Sequence, residues 1–179
     1  MGIVGIGGLG HFGLLLAKAL GCAEVVAISR SSAKKEDAMK MGATKVIATG
    51  EDPKWMRTHA RSLDLIVSTV SSPDLPLEGY FKLLRTKGEF IQVGAPEDKF
   101  PAIHAFDLIG KGVKLGGSMI GSPKVIGEML KFVEEKGVKP WVEVKDMAEA
   151  NKLVVDMAAG HARYRYVLKN EKNCAALGL

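Results

Sequence analysis

Short runs of β-branched and aliphatic residues alternate with stretches of helical spacing along most of the chain. Ile3-Val4-Gly5-Ile6 reads as a strand running straight into glycines, and apolar residues at helical spacing follow to Leu20, where Gly21 stands in the C-terminal cap position. Val25-Val26-Ala27-Ile28, Lys45-Val46-Ile47-Ala48 and residues 65–70, 89–93 and 114–119 are predicted as further strands. Between them, Ser32 is expected to cap a helix that carries Glu36 and Asp37 near its positive end and stops at Gly42. Asp52-Pro53 predicts a short helix near 53–60, and Leu77, Phe81 and Leu84 fall on one face of the next. Ser122-Pro123 opens a longer helix with Ile126, Met129, Leu130 and Val133 as its core stripe and Gly137 as its end. Strands that are apolar throughout, alternating with helices, predict an α/β fold: a doubly wound parallel sheet covered on both faces.

After Gly137 the pattern changes. Trp141-Val142-Glu143-Val144 alternates like a half-exposed strand. Asp146-x-x-Glu149 predicts a capping box for a helix carrying Ala150, Leu153, Val154 and Met157 on one face. Gly160 closes that helix, and residues 163–168 alternate again. Residues 1–137 are therefore expected to form the sheet domain. Residues 138–179 form a tail too short for a core of its own, which must pack on the sheet domain or on something outside this chain.

The 179 residues are 47% hydrophobic and 25% charged, the balance of a soluble globular chain. Cys22 and Cys174 are too few for a disulfide framework, and no Cys-x-x-Cys pair exists to hold structural zinc. The net charge of +5 suits an anionic ligand, but the lysines are spread singly or in pairs and aromatics are only 6%, which argues against nucleic acid. The uncharged stretch from Met1 to Ala17 lacks the basic start of a signal peptide and is broken by glycines, and no stretch reaches the length of a membrane span. The default expectation is a cytoplasmic protein.

Gly5-Ile6-Gly7-Gly8-Leu9-Gly10 fits G-x-G-x-x-G between a strand and a helix. Gly5 allows the tight turn, Gly7 lets the backbone approach a pyrophosphate, and Gly10 lets helix and strand pack closely, while the helix dipole faces the anion. Gly8 and Leu9 complete the loop. The second strand ends at Ser29, where an NAD-binding protein carries an acidic residue for the ribose hydroxyls. Here Ser29-Arg30-Ser31-Ser32 is followed by Lys34 and Lys35. Hydroxyls and a guanidinium offer donors to a 2′-phosphate that a carboxylate would repel, so NADP(H) is expected over NAD(H).

These segments, with Met41-Gly42-Ala43, Val93-Gly94-Ala95-Pro96, residues 116–122 and Arg163-Tyr164-Arg165-Tyr166-Val167, resemble the cofactor domain of zinc-type medium-chain alcohol dehydrogenases. The similarity is to the NADP(H)-dependent cinnamyl alcohol dehydrogenase branch and runs through Leu168. The resemblance implies a Rossmann fold for residues 1–137, with the backbone around Val93, Gly94 and Ala95 and around Gly117 and Ser118 holding the nicotinamide. It assigns Arg165, or failing that Arg163, to the pyrophosphate. Ser68 and Thr69, at the C-terminal end of the fourth strand, would lie beside the cofactor as a doubly wound sheet places its ligand. It also implies a homodimer joined through the edge strand between Lys114 and Ser122.

In that family the catalytic zinc is held in a separate N-terminal domain, and this chain begins inside what would be the first strand of the cofactor domain. His11, His59, His104 and His161 are too scattered to suggest a zinc site, and no catalytic residue is assigned. The resemblance therefore implies the cofactor-binding portion of an NADP(H)-dependent zinc-type alcohol dehydrogenase or aldehyde reductase, acting on aromatic or medium-chain substrates, with its catalytic N-terminal domain missing and the 138–179 tail lacking its usual packing surface. A zinc-free reductase of the same superfamily and a non-catalytic NADP(H)-binding module are the alternatives.

Overall fold

The structure, a computed structural model, describes residues 1–171. Two compact units divide at Val138/Lys139. In the first, the elements are β1 (Gly2–Val4), α1 (Gly10–Ala19), β2 (Val26–Ser29), α2 (Lys35–Lys40), β3 (Lys45–Ala48), α3 (Trp55–Thr58), β4 (Leu63–Ser68), α4 (Leu77–Leu83), β5 (Leu84–Gln92), α5 (Ala105–Ile109), β6 (Lys114–Gly117) and α6 (Pro123–Glu135). The six strands pair in parallel in the order β3-β2-β1-β4-β5-β6. This is the Rossmann arrangement. Right-handed crossovers send α1 and α2 to one face, and the reversal of direction after β3 sends α3, α4 and α5 to the other. The strand order reverses between β1 and β4, which opens a crevice at the carboxyl ends of these two strands.

Continuous apolar strands are buried on both faces because helices cover both. On the α3–α4 face, Phe90 meets Phe81 edge-on at 5.8 Å and stacks near Tyr80 at 5.9 Å, with Trp55 5.6 Å from Tyr80. Leu63, Ile66, Leu83 and Leu84 fill the same core. Gly21 and Gly42 take φ of +77° and +105° just past α1 and α2, so the glycine stops predicted there are left-handed caps. Among the described residues, no helix is long and apolar enough to cross a membrane.

Several local expectations are corrected. The first strand stops at Val4, because Gly5 already turns at φ +88°. The fourth spans 63–68, so Thr69 and Val70 belong to the loop beyond it. Leu84 leaves α4 in an extended conformation and begins β5 instead of completing the helix face. The helix predicted near 53–60 is the single turn α3, with the Asp52 carboxylate accepting from the Lys54 amide at 2.8 Å before it. Ser32 does not cap α2: its amide and hydroxyl both donate to Glu51, at 2.8 and 3.2 Å. Those two bonds hold the Glu51 carboxyl below the usual carboxylate range. The Ser122 hydroxyl does cap α6, accepting from the Val125 amide, but the stripe expected to be core is not buried: Ile126, Met129 and Leu130 are exposed and Val133 is half-buried.

The second unit contains β7 (Val142–Asp146), a 3₁₀ turn (Met147–Glu149), α7 (Ala150–Ala158) and β8 (Arg165–Lys169). β7 and β8 pair in parallel, making a small β-α-β unit. Asp146 accepts from the Ala148 amide at 2.7 Å, so the predicted capping side chain starts a 3₁₀ turn before the helix. Leu153 is buried, whereas Val154 and Met157, expected on the same face, are exposed.

Tyr80 provides a test of the packed face. Burial pushes its phenol up to about 12, against a smaller opposing pull from the Arg30 guanidinium. The folded chain therefore holds this proton more tightly than the unfolded chain. Its stabilising contribution is complete below about pH 10 and is lost as pH rises toward about 12, at about 1.4 kcal/mol per pH unit. Urea unfolding at about pH 9 and about pH 11.5 should show a smaller alkaline loss in Tyr80→Phe than in the parent chain. An equal loss in both would contradict the assignment.

Candidate functional site

Between β1 and α1 the chain turns on glycines, each for a different steric reason. Gly5 has φ +88°, its amide donates to Ile28 O at 2.9 Å, and a Cβ there would sit 2.7 Å from Val70 Cγ2. A Cβ on Gly10, the first residue of α1, would overlap the Gly5 carbonyl oxygen and lie 2.8 Å from its carbon. Gly7 is the opposite case, with nothing within 4 Å of where its Cβ would be. Backbone at Gly7 is thus open to close approach, beside the N-terminus of a ten-residue helix whose first turn carries no acidic residue. The loop is braced by the His11 amide on Gly7 O at 3.0 Å and by the buried His11 ring, whose Nδ1 lies 2.8 Å from Gly8 O. Leu9 is half exposed at the helix entry.

The carboxyl end of β4 supports this turn. Thr69 donates its amide to Val4 O at 2.9 Å, and its hydroxyl lies 3.0 Å from Val4 O and 3.2 Å from Gly5 O. The Thr69 side chain therefore holds the glycine turn. Ser68 is fully buried, and its Oγ has no hydrogen-bond partner. Val93 and Gly94 donate their amides to Ser68 O at 2.9 and 3.1 Å, and Ala95 donates to Ser71 Oγ at 3.1 Å. A Cβ on Gly94 would overlap the Val70 carbonyl oxygen, so this glycine stacks directly on the backbone after β4. Gly117 ends β6 and Ser118 follows it, both exposed, with the Ser118 amide on Gln92 O at 3.0 Å.

Gln92 was not legible as a site residue. It is buried, and its Nε2 lies 2.8 Å from both Val70 O and Gly94 O, pinning together the segments that follow β4 and β5. Its Oε1, like Ser68 Oγ, is buried without a hydrogen-bond partner, and the two residues face each other across the β4–β5 register. The available signal was a polar residue two positions after Phe90 in an apolar strand, where alternation calls for another core side chain.

At the end of β2, the backbone is fixed and the side chains are not withdrawn. Ser29 O accepts from the Thr49 amide at 2.8 Å, and Arg30 O accepts from the Gly50 amide at 2.9 Å. Ser29 is half-buried and Arg30 is exposed. Lys34 reaches back to the glycine loop, donating from Nζ to Ile6 O at 2.8 Å. The cofactor residues predicted in the first unit thus gather at the carboxyl ends of β1, β2, β4, β5 and β6.

Arg165 is the exposed first residue of β8, in the second unit. Arg163 has its Nη1 within 3.0–3.3 Å of the carbonyls of Gly160, His161 and Ala162, committed to its own turn. Among the described residues, no three His, Cys, Asp or Glu side chains come together in a way that would hold a metal ion. Cys22 is a half-buried thiol 3.9 Å from Met1 Sδ, and Cys174 lies outside the described residues.

Residues 8–135 match the family model described as zinc-binding dehydrogenase. The chain is 40% identical over 172 residues to NADP-dependent alcohol dehydrogenase 6 of Saccharomyces cerevisiae, covering 94% of this chain and 47% of that protein. It is 38% identical to the aldehyde reductase YahK of Escherichia coli, covering 95% and 48%. Among solved structures it superposes on a cinnamyl alcohol dehydrogenase of Sorghum bicolor with a TM-score of 0.87 at 33% identity, over 93% of this chain and 46% of that one. A Helicobacter pylori cinnamyl alcohol dehydrogenase complexed with NADP(H) gives a TM-score of 0.79 at 32% identity, again over 93% and 46%. The chain spans about half the length of the curated relatives it matches. With a Rossmann sheet, its glycine loop at the switch point and a family match over most of its length, the chain belongs to the zinc-binding dehydrogenase family.

Proposed function

We propose that this chain is the NADP(H)-binding portion of an NADP(H)-dependent alcohol dehydrogenase or aldehyde reductase acting on aromatic or medium-chain substrates. The observation that carries the reading is the pairing of two features at one end of the sheet. Gly7 presents open backbone beside the α1 N-terminus, and β2 ends in Ser29-Arg30, where an acidic residue would select NAD(H). The residues fit the dinucleotide in a third respect: Ser68 Oγ and Gln92 Oε1 are buried polar atoms left without partners at the crevice.

The backbone at Gly7 and the start of α1 would take the pyrophosphate. Arg30 and Ser29 would donate to the 2′-phosphate, while Lys34 holds the β2–α2 loop against the glycine turn and adds positive charge. Backbone at Val93, Gly94 and Ala95 and at Gly117 and Ser118 would seat the nicotinamide, and Gln92 fixes the first of these segments by its two amide contacts. When bound, the reduced nicotinamide would supply hydride to a substrate carbonyl carbon, and the oxidised form would accept it from the carbinol carbon of the alcohol. Among the described residues, no ligand set for the family's catalytic zinc converges. Assembly as a homodimer is proposed through β6, the last strand of the sheet, whose far edge has no partner strand among the described residues.

Two outcomes test the reading. A charge-assisted bond to the 2′-phosphate is worth about 1.5–3 kcal/mol, so Arg30→Ala should weaken NADPH binding about ten- to a hundredfold and leave NADH nearly unchanged. Ser29→Asp should go further and shift preference toward NADH. Fluorescence titration with both cofactors would refute the assignment if the parent chain binds them equally or Arg30→Ala weakens both alike. Separately, the purified 179-residue chain should bind NADPH without reducing aldehydes. Robust, chelator-sensitive reduction by this chain would sink that expectation.

A further inference from the structure

A second concentration of positive charge lies away from the cofactor residues. A groove of about 670 Å³ is lined by Lys54 and Arg57 of the α3 region, Arg61 just before β4, Lys82 near the end of α4, and Lys111 just before β6. Its other lining residues are uncharged, so no carboxylate lines the groove. Among the described residues none of the five cations is in an ion pair, although eight other pairs form elsewhere. The nearest acidic residue in sequence, Asp52, is tied to the Lys54 amide.

Local structure forces these charges together. Arg61 adopts φ +54°, and its amide donates to Lys82 O at 3.0 Å, setting the two backbones side by side. Lys111 is anchored by Nζ on Phe81 O and Leu84 O, both at 2.6 Å, which leaves it one further N–H. Burial, with the Arg61 charge adding to it, holds the Lys111 ammonium below its ordinary range, so two of the five cations already feel each other. Like charges converging in a concave wall focus a positive potential, and no carboxylate is among the lining residues to offset it.

We propose that this groove is a binding site for a small anion carrying adjacent phosphate groups. Guanidinium and ammonium donors converging from three segments suit several phosphate oxygens at once. The volume falls within the range of small-ligand clefts, about 300–1,000 Å³. No aromatic side chain lines the groove, which removes the stacking platform that a nucleic-acid strand uses. The site is separate from the dinucleotide crevice: Arg61, Lys82 and Lys111 precede β4, β5 and β6, whereas Ser68, Val93 and Gly117 end or follow the same strands. It does not depend on the cofactor assignment.

The probe is tripolyphosphate, titrated calorimetrically into the full chain with saturating NADPH present to occupy the glycine loop. One-to-one saturable binding is expected, weakened at least about tenfold in the double variant Lys54→Glu/Arg57→Glu, whose side chains are both exposed. Lys82→Gln should weaken it less and in the same direction. Lys131→Glu, on α6 outside the groove, should leave it unchanged. The urea unfolding midpoint should be the same in all the variants, which separates loss of the groove from loss of the fold, and NADPH affinity should be equal among them, which separates it from loss of the cofactor site. Absence of saturable binding, unaltered binding in the double variant, or equal weakening by Lys131→Glu would overturn the proposal. So would affinity for a single-stranded oligonucleotide that exceeds that for tripolyphosphate and grows with strand length.

Discussion

The approach of α1 to the end of β1 is the constraint on which the site depends. Gly10 lies so close to the Gly5 carbonyl that no side chain fits between them, and the hydroxyl of Thr69 fills the remaining space with hydrogen bonds to the same turn. The same device recurs one strand over, where Gly94 rests on the backbone of Thr69 and Val70 and Gln92 ties the two segments together. Backbone packed on backbone leaves the crevice rim without side chains. The bare rim at Gly7 is what a pyrophosphate requires of a helix N-terminus.

The two ends of the sheet carry different chemistry. At the carboxyl ends, polar atoms of Ser68 and Gln92 are buried without partners beside open backbone, an arrangement that costs stability unless a ligand satisfies them. At the amino ends, five cations that form no ion pair among the described residues line one groove. Between them lies an apolar core that includes Phe81, Phe90, Tyr80 and Trp55. The exposed apolar residues of α6 lie outside this core, on a chain that spans about half the length of its relatives.

Most of the sheet was legible because parallel strands buried on both faces leave long apolar runs, and because Gly21 and Gly42 mark helix ends through a φ that other residues rarely adopt. The glycine turn after β1 was legible because its signal is local: Gly5 follows an apolar strand and takes a φ of +88°. What was not legible depends on contacts distant in sequence. Ser32 has the right identity for a helix cap, yet Glu51, 19 residues away, takes its donors. Gln92 acts on carbonyls in two loops that only the fold brings together. The α6 stripe has the spacing of a core face, but periodicity reports only that a face is apolar, and Ile126, Met129 and Leu130 are exposed.

The approach of α1 to β1 is tested most directly at Gly10. Titration of Gly10→Ala with NADPH, alongside Gly127→Ala as a control in α6 where a Cβ meets nothing within 4 Å, tests it directly. Gly10→Ala is expected to lose NADPH affinity by at least about tenfold and to unfold at lower denaturant, while Gly127→Ala binds normally and gains up to about 1 kcal/mol of helix propensity. Wild-type NADPH affinity in Gly10→Ala would contradict it.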